Sequence, residues 1–240
     1  MKNPVSIATE NFVKTIYQFG QKKGHDTRPG SIARELGISN AAATDMARKL
    51  ARKDLIQYEK YKELRLTPAG RKMALGIIRK HRLWETFLHQ VFGLGMHEIH
   101  REAEMLEHLT SDFLADKISL FLGHPTTDPH GDPIPDHRGE LPHDPGNVLL
   151  SQAPAGASYH VTRLSGSDEE FHEFCQARSL TVGSQLRVRS QFPKRRMTEI
   201  ELEGTVLLLN AELAQTMHVK PTAGPGRDRK ALTVPNEARQ

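Results

Sequence analysis

Four side chains of one helix-forming stretch are of the types that bind divalent metal ions. His100, Glu104, Glu107 and His108 lie in HREAEMLEHLTSD at residues 100–112. On a helix these positions fall within an arc of about 100°, so the four side chains leave on one face. Such a face is normally apolar and packs on the core. Carboxylate and imidazole groups there are instead donors for a divalent ion.

A second pair of such residues lies earlier in the chain. His81 and Glu85 are spaced i,i+4 in RKHRLWE, as are His100 and Glu104 in the later stretch. Side chains with this spacing meet on one helix face. An ion that bridged the two pairs would relieve the cost of clustering carboxylates. A single helical histidine is more often a hydrogen-bonded structural residue, and this alternative stays open for His81 and for His100.

The composition of the chain indicates which kinds of metal site it can form and where in the cell we expect it. The chain has 240 residues, 37% hydrophobic and 26% charged, as is typical of a globular protein long enough for two domains. Its single cysteine, Cys175, excludes an internal disulfide and argues against a thiolate-rich zinc site. The net charge of +4 permits nucleic-acid binding without requiring it. The sequence lacks a signal-peptide pattern and an apolar run of about 20 residues, so we expect a cytoplasmic protein without a membrane partner.

The segment RPGSIARELGISNAAATDMARKL has the spacing of a helix-turn-helix. We expect a short helix at 31–36, a turn at Gly37, and a second helix at about 40–53 whose N-cap is Ser39. LIQYEKYKELRLTPAG then predicts two short strands, 56–59 and 63–67, around a lysine-rich tip. Together these elements predict a winged helix that places its second helix in the major groove. The alternative is a three-helix bundle whose basic residues form a solvated face.

The expected DNA contacts fall into three groups. Residues at the start of the second helix face the bases, basic residues in its second half face phosphates, and wing lysines complete the surface. In that order they are Ser39, Asn40, Ala41, Ala42, Thr44 and Asp45, then Arg48 and Lys49, then Lys60 and Lys62.

The order of these motifs resembles the diphtheria toxin repressor family of metal-dependent regulators, including its manganese transport regulator branch. The match covers about residues 4–136 closely and the C-terminal part loosely. Its most specific elements are RKHRLWE at 79–85, ExxEH at 104–108 and GDPIP at 131–135.

The resemblance implies a mainly α fold with a small C-terminal β-barrel. Alternating segments such as YHVTRL and TEIELEG also predict an antiparallel barrel after the Pro- and Gly-rich stretch that begins at Gly123. The expected parts are a winged helix-turn-helix domain at 1–73, a helical metal-binding and dimerisation domain at 74–140, a linker at 141–156, an SH3-like (FeoA-like) barrel at 157–221 and a disordered tail at 222–240.

The resemblance also implies two metal sites. The family's primary site corresponds to Asn11, Glu104, Glu107 and His108. Its ancillary site corresponds to His81, Glu85 and His100, completed from the barrel by Asp168 or Glu170.

Three departures from the family pattern affect the primary site. Glu104 stands where much of the iron-responsive branch has cysteine, and its hard oxygen favours Mn(II) or Fe(II). Asn11 stands where Met or Asp is common, which leaves Glu10 as an alternative ligand. Lys14 stands where the manganese branch has a glutamate, which argues against a two-metal cluster built on that residue.

The function that the resemblance implies is a transcriptional repressor of metal-uptake genes with Mn(II) or Fe(II) as corepressor, up to two ions per subunit. A homodimer would read an inverted repeat in double-stranded DNA of metal-transporter promoters. The ion would tie the first helix to a long dimerisation helix at about 97–122, and without it we expect the carboxylates to repel and the first helix to loosen.

Two other functions compete with this one. A winged-helix regulator of a non-metal ligand would use the His and Glu residues structurally. A catalytic metal site would need a nucleophile or oxyanion motif, which the sequence lacks, so we do not expect an enzyme.

Overall fold

The computed structural model describes residues 6–21, 24–142, 146–165 and 169–222, with Glu169 described by its backbone alone. The chain divides into a helical unit, residues 1–144 with 168–172, and a sheet unit, residues 145–167 with 173–240. The elements of the helical unit before residue 142 are α1 Ile7–Gln21, α2 Pro29–Glu35, α3 Asn40–Arg52, β1 Ile56–Gln57, β2 Arg65–Leu66, α4 Pro68–Phe92, α5 Met96–Leu106 and α6 Asp112–Phe121.

The predicted winged helix is present. Gly37 has φ of 63° between α2 and α3, a left-handed conformation that glycine adopts without strain. The hydroxyl of Ser39 accepts a hydrogen bond from the backbone N–H of Ala42 at 3.1 Å and caps α3. The wing strands are shorter than predicted, with only Ile56 paired to Leu66 and Gln57 to Arg65.

Helix α1 contributes to the core of the winged helix. Its side chains Phe12, Val13 and Ile16 are buried in one cluster with Ile32 of α2 and Leu50 of α3. The position of α1 is therefore coupled to that of α3 through this shared, closely packed core.

Two boundaries differ from the prediction. Helix α4 begins after its N-cap Thr67 and runs for 25 residues across the expected domain boundary at 73/74. The single long helix expected at about 97–122 is wrong, because α5 ends at Leu106 and α6 begins after its N-cap Ser111. Thr110 lies at the break, where its hydroxyl accepts a hydrogen bond from Trp84 Nε1 at 2.7 Å.

The sheet unit has one antiparallel sheet with the strand order β3-β8-β4-β5-β6-β7. Its elements are β3 Val148–Leu149, a 3-10 turn Leu150–Gln152, β4 Ser158–Leu164, α7 Glu169–Gln176 (whose first residues group with the helical unit), β5 Gln185–Phe192, a 3-10 turn Pro193–Arg195, β6 Met197–Leu202, β7 Thr205–Asn210, α8 Ala211–Thr216 and β8 Met217–Pro221. Among the described residues β3 and β7 are edges of an open sheet, so the closed barrel of the prediction is not shown.

The segment expected as a linker at 141–156 contains part of this sheet. Val148 pairs with Val219 of β8, and Leu150 is fully buried. Except for Thr222, the expected tail at 222–240 lies outside the described residues. Within the part of the chain that the structure describes, no helix has the length and apolar character needed to cross a membrane.

Two glycines of α4 provide a matched test of this packing. A Cβ at Gly70 would overlap the carbonyl oxygen of Leu55, whereas a Cβ at Gly76 would meet nothing within 4 Å. We expect Gly70→Ala to lower the free energy of unfolding by about 1–3 kcal/mol or more through overpacking. Gly76→Ala should raise it by about 0.5–1 kcal/mol, because alanine loses less backbone entropy in a helix. Urea unfolding of both variants measures the difference, and equal effects would contradict the close approach of α4 to Leu55.

Candidate metal centre

Helices α4 and α5, with the residues directly after α5, bring most of the predicted metal ligands together. α4 supplies His81 and Glu85, which are 7% and 2% exposed. α5 supplies His100 and Glu104, and Glu107 follows as its C-cap residue. The ligand-type atoms of Glu104, Glu107 and His108 lie within 4.8 Å of one another.

His81, Glu85 and His100, which we call the imidazole cluster, are in mutual contact. Oε1 of Glu85 lies 3.1 Å from Nε2 of His81 and 3.1 Å from Nδ1 of His100. The two ring nitrogens are 3.3 Å apart. The structure therefore brings together these three predicted residues, which lie on two helices.

Glu104, Glu107 and Lys14, which we call the carboxylate cluster, lie beside the imidazole cluster. Lys14 Nζ donates to Oε2 of Glu104 at 2.7 Å and to both carboxylate oxygens of Glu107 at 2.8 Å. His81 connects the two clusters, because its Nδ1 lies 2.6 Å from Oε2 of Glu107.

The structure pairs the carboxylate of Glu107 within the protein, and the expected repulsion of the carboxylates in metal-free protein stays a prediction. Glu107 is 1% exposed and is paired with both Lys14 and His81. A second contact joins α1 to the residues after α5, since Nδ1 of His108 lies within hydrogen-bond distance of Oε2 of Glu10, at 2.6 Å. Side chains of the protein itself therefore hold α1 against α5.

Two buried polar atoms fit an ion at the predicted primary site. Among the described residues, Oδ1 of Asn11 and Nε2 of His108 have no hydrogen-bond partner. Nε2 of His108 also lies 3.3 Å from Oε1 of Glu107. An unsatisfied buried polar atom is costly, and an amide oxygen and an imidazole nitrogen are both metal donors. The donor set of Asn11, Glu104, Glu107 and His108 therefore suits a divalent ion.

The electrostatics of the two clusters favour ionised groups. Burial favours the neutral imidazole of His81, but the carboxylates of Glu85 and Glu107 outweigh burial and raise the pKa of His81 to about 9. Burial likewise opposes ionisation of Glu85, yet His81 and His100 hold the pKa of this carboxyl well below its usual range. The pKa of Glu104 is also lowered, since Lys14 outweighs the effect of burial.

Sequence reasoning missed three residues that border these clusters. Lys14 was noted as a departure from the family pattern, but its ion pairs with residues 90 and 93 positions away left no local signal. His130 Nε2 lies 3.8 Å from Oε1 of Glu85. Asp128 is 6% exposed, and burial, with Asp132 and Glu85 nearby, raises the pKa of its carboxyl.

The predicted ligands from the C-terminal part are not supported by contacts. Asp168 lies outside the described residues. Glu170 is exposed on α7 and belongs to neither group of converging metal-ligand side chains found among the described residues. Both remain predictions.

The predicted DNA-contact residues lie on α3 and the wing. The side chains of Asn40, Ala41, Ala42, Asp45, Arg48, Lys49, Lys60 and Lys62 are exposed, and so is Ser39, whose hydroxyl caps the helix. Thr44 is half-buried and donates to the carbonyl oxygen of Asn40 at 2.8 Å. Lys49 forms an i,i+4 ion pair with Asp45 at 2.7 Å.

An apolar surface lies on α6 and the end of α4. Phe113 and Phe121 are 71% and 69% exposed, and Phe92 is 64% exposed. Phe121 contacts Phe87, with ring centroids 5.7 Å apart. Exposed aromatic groups on this scale are typical of a protein–protein interface.

A winged helix joined to a helical domain that gathers carboxylates and imidazoles defines the class of metal-responsive, DNA-binding regulators. Three family models match the chain in order. They are "Iron dependent repressor, N-terminal DNA binding domain" at residues 5–64, "Iron dependent repressor, metal binding and dimerisation domain" at 67–136 and "FeoA domain" at 148–221.

Relatives and solved structures agree with these models. The chain is 33% identical to the iron-dependent repressor IdeR of Mycobacterium tuberculosis over 165 residues, 66% of this chain and 71% of that protein. It is 26% identical to the diphtheria toxin repressor of Corynebacterium efficiens over 225 residues, 90% of this chain and 96% of that protein. A manganese-dependent transcriptional repressor solved in complex with manganese matches with a TM-score of 0.81 and 31% identity over 89% of this chain and 100% of that one. The chain belongs to the iron-dependent repressor family.

The ionisation of His81 gives a direct test of the site geometry in metal-free protein. Because its folded pKa of about 9 exceeds its ordinary value of 6.5, its pairing contributes full stability below pH 6.5 and loses it as the pH rises through about 9. We expect the His81 ring proton to titrate near pH 9 by NMR, and Glu85→Gln to shift this pKa downward. Glu102→Gln, on the same unit but paired with Arg101, serves as the control and should leave the pKa of His81 unchanged. A pKa of His81 near 6.5 in the unmodified protein would contradict the contacts with Glu85 and Glu107.

Proposed function

We propose that this protein is a homodimeric repressor that binds an inverted-repeat operator at metal-uptake genes when Mn(II) or Fe(II) is bound. The observation that carries the proposal is the set of converging carboxylate and imidazole donors. Two buried donor atoms, Oδ1 of Asn11 and Nε2 of His108, also lack a hydrogen-bond partner among the described residues. Asn11 lies on α1, a helix that also packs in the winged-helix core.

We assign the donors to two adjacent sites, for up to two ions per subunit. Asn11, Glu104, Glu107 and His108 would form the primary site, and His81, Glu85 and His100 the second. A bound divalent ion supplies two positive charges that neutralise the clustered carboxylates. Imidazole nitrogens coordinate the same ion through their lone pairs. Oxygen and nitrogen donors without a thiolate suit Mn(II) and Fe(II) better than softer metals.

The two sites are not independent in this proposal. Nδ1 of His81 lies 3.6 Å from Oε2 of Glu104 and 2.6 Å from Oε2 of Glu107, while its Nε2 faces Glu85. A change of charge at one cluster therefore alters the pairing of His81 at the other. His81 must release its proton before it ligates an ion, so affinity at the second site should increase with pH.

Helix α1 provides the physical route from the metal centre to the DNA-binding surface. Phe12 and Ile16 of α1 share a buried cluster with residues of α2 and α3. On the same helix, Lys14 contacts Glu104 of α5, and Glu10 contacts His108 after the end of α5. An ion that binds one arrangement of α1 more tightly than others shifts the population toward that arrangement. A coupling of about 1–3 kcal/mol corresponds to a change in DNA affinity of roughly 5- to 150-fold.

The exposed surfaces support the remaining parts of the proposal. Arg48, Lys49, Lys60 and Lys62 supply positive charge for phosphates on α3 and the wing. The exposed Phe113, Phe121 and Phe92 supply apolar area for a two-fold interface.

The proposal is tested by fluorescence anisotropy of the full chain with labelled promoter DNA of its own genome's metal transporters, at one fixed salt concentration. We expect Mn(II) or Fe(II) to tighten binding about 5- to 150-fold over chelator-treated protein. Glu107→Ala should abolish this gain, because it removes the carboxylate on which both clusters converge. Glu102→Ala, a half-buried carboxylate of α5 outside both clusters, should retain it.

Equal DNA affinity with and without metal would contradict the proposal. It would favour a winged-helix regulator that responds to another kind of ligand.

A further inference from the structure

The ammonium group of Lys14 lies where the carboxylates of the predicted primary site converge. Lys14 is 5% exposed, and its three N–H groups are matched by three carboxylate oxygens within 2.8 Å, one of Glu104 and two of Glu107. We propose that Lys14 is a tethered cation that competes with the metal ion for Glu104 and Glu107 and thereby sets the metal concentration to which the repressor responds. This inference rests on the proposed function.

Charge opposes simultaneous occupancy by the ammonium group and an ion. Both carboxylate oxygens of Glu107, and Oε2 of Glu104, accept hydrogen bonds from Lys14, so an ion held by Glu107 must use an oxygen that Lys14 now occupies. Two cations on the buried carboxylate of Glu107 would repel strongly, because the interior screens charge poorly. Lys14 must therefore withdraw when an ion binds, and its flexible four-carbon stem allows this.

The competition weakens metal binding without dismantling the site. Charge-assisted hydrogen bonds from Lys14 must be broken before Glu104 and Glu107 become ligands, and this cost reduces the observed metal affinity. In return, Lys14 keeps Glu107 paired in the metal-free protein, where a buried unpaired carboxylate would be strongly destabilising.

The neighbouring residue on α1 indicates that this arrangement still admits an ion. Oδ1 of Asn11 is buried, without a hydrogen-bond partner among the described residues, one helical turn before Lys14. α1 thus carries a neutral donor for the ion and a charged competitor of it. The metal concentration at which the ion binds then depends on the free energy needed to move Lys14 away, as well as on the strength of the ligands.

The first test measures Mn(II) affinity of the full-length protein by the loss of the EPR signal of free Mn(II). Lys14→Met keeps an unbranched side chain without the ammonium group and should bind Mn(II) at least about tenfold more tightly, because no charge-assisted hydrogen bonds must be broken. Lys80→Met is the matched control, since Lys80 is 20% exposed and pairs with Asp112 instead. It should change the affinity by less than about twofold. Adding Glu104→Gln to Lys14→Met should remove the gain.

The outcomes separate this inference from the proposed function. Unchanged or weaker Mn(II) binding by a folded Lys14→Met variant would overturn the role of Lys14. If neither that variant nor the unmodified protein binds Mn(II), and anaerobic equilibrium dialysis shows no binding of Fe(II) either, the proposed function itself fails.

A second measurement needs no substitution and so does not depend on the folding of a variant. Amine-reactive labelling of the unmodified protein, read by peptide mass spectrometry, reports how accessible Lys14 is. We expect labelling of Lys14 to increase when Mn(II) is added, while labelling of Lys80 stays constant. Constant or reduced labelling of Lys14 in Mn(II)-loaded protein would overturn the competition.

Discussion

The carboxylate of Glu107 is the buried charge around which the helical unit is arranged. It is 1% exposed and cannot remain unpaired in the interior without a large cost in free energy. Lys14 of α1 and His81 of α4 both pair with it, and Glu107 itself ends α5. Three helices therefore meet at one carboxylate, and any ion that binds there must change how all three are held.

This arrangement explains how a small change of charge can reach the DNA-binding surface. The apolar residues Phe12, Val13 and Ile16 of α1 are buried in the same core cluster as Leu50 of α3. Lys14 of α1 forms ion pairs with Glu104 and Glu107, and Glu10 of the same helix lies within hydrogen-bond distance of His108. When an ion changes the pairing of Glu104 and Glu107, a resulting shift of α1 must also alter the core that α1 shares with α3, since protein interiors are close-packed.

The parts of the structure that local signals determine were predictable from the sequence. Ser39 and Gly37 mark the turn of the winged helix, and the i,i+4 spacing of His81 and Glu85 places them on one face of α4. The break between α5 and α6 had a local signal too, the N-cap at Ser111, but the ligand pattern across 100–108 favoured a continuous helix. Contacts between distant positions left no such signal. Among these are the ion pair of Lys14 with Glu107 and the pairing of Val148 with Val219, which joins the expected linker to the sheet.

The most direct test of this account is hydrogen–deuterium exchange of the α1 backbone in the unmodified protein, in Glu107→Gln and in Glu102→Gln, with and without Mn(II). If Glu107 holds α1 in place, the amides of Ile7–Gln21 are already protected without metal and gain protection with Mn(II). Glu107→Gln loses both the basal protection and the gain, and Glu102→Gln keeps both. Exchange of α1 that is the same in the unmodified protein and in Glu107→Gln would contradict the central role of this carboxylate.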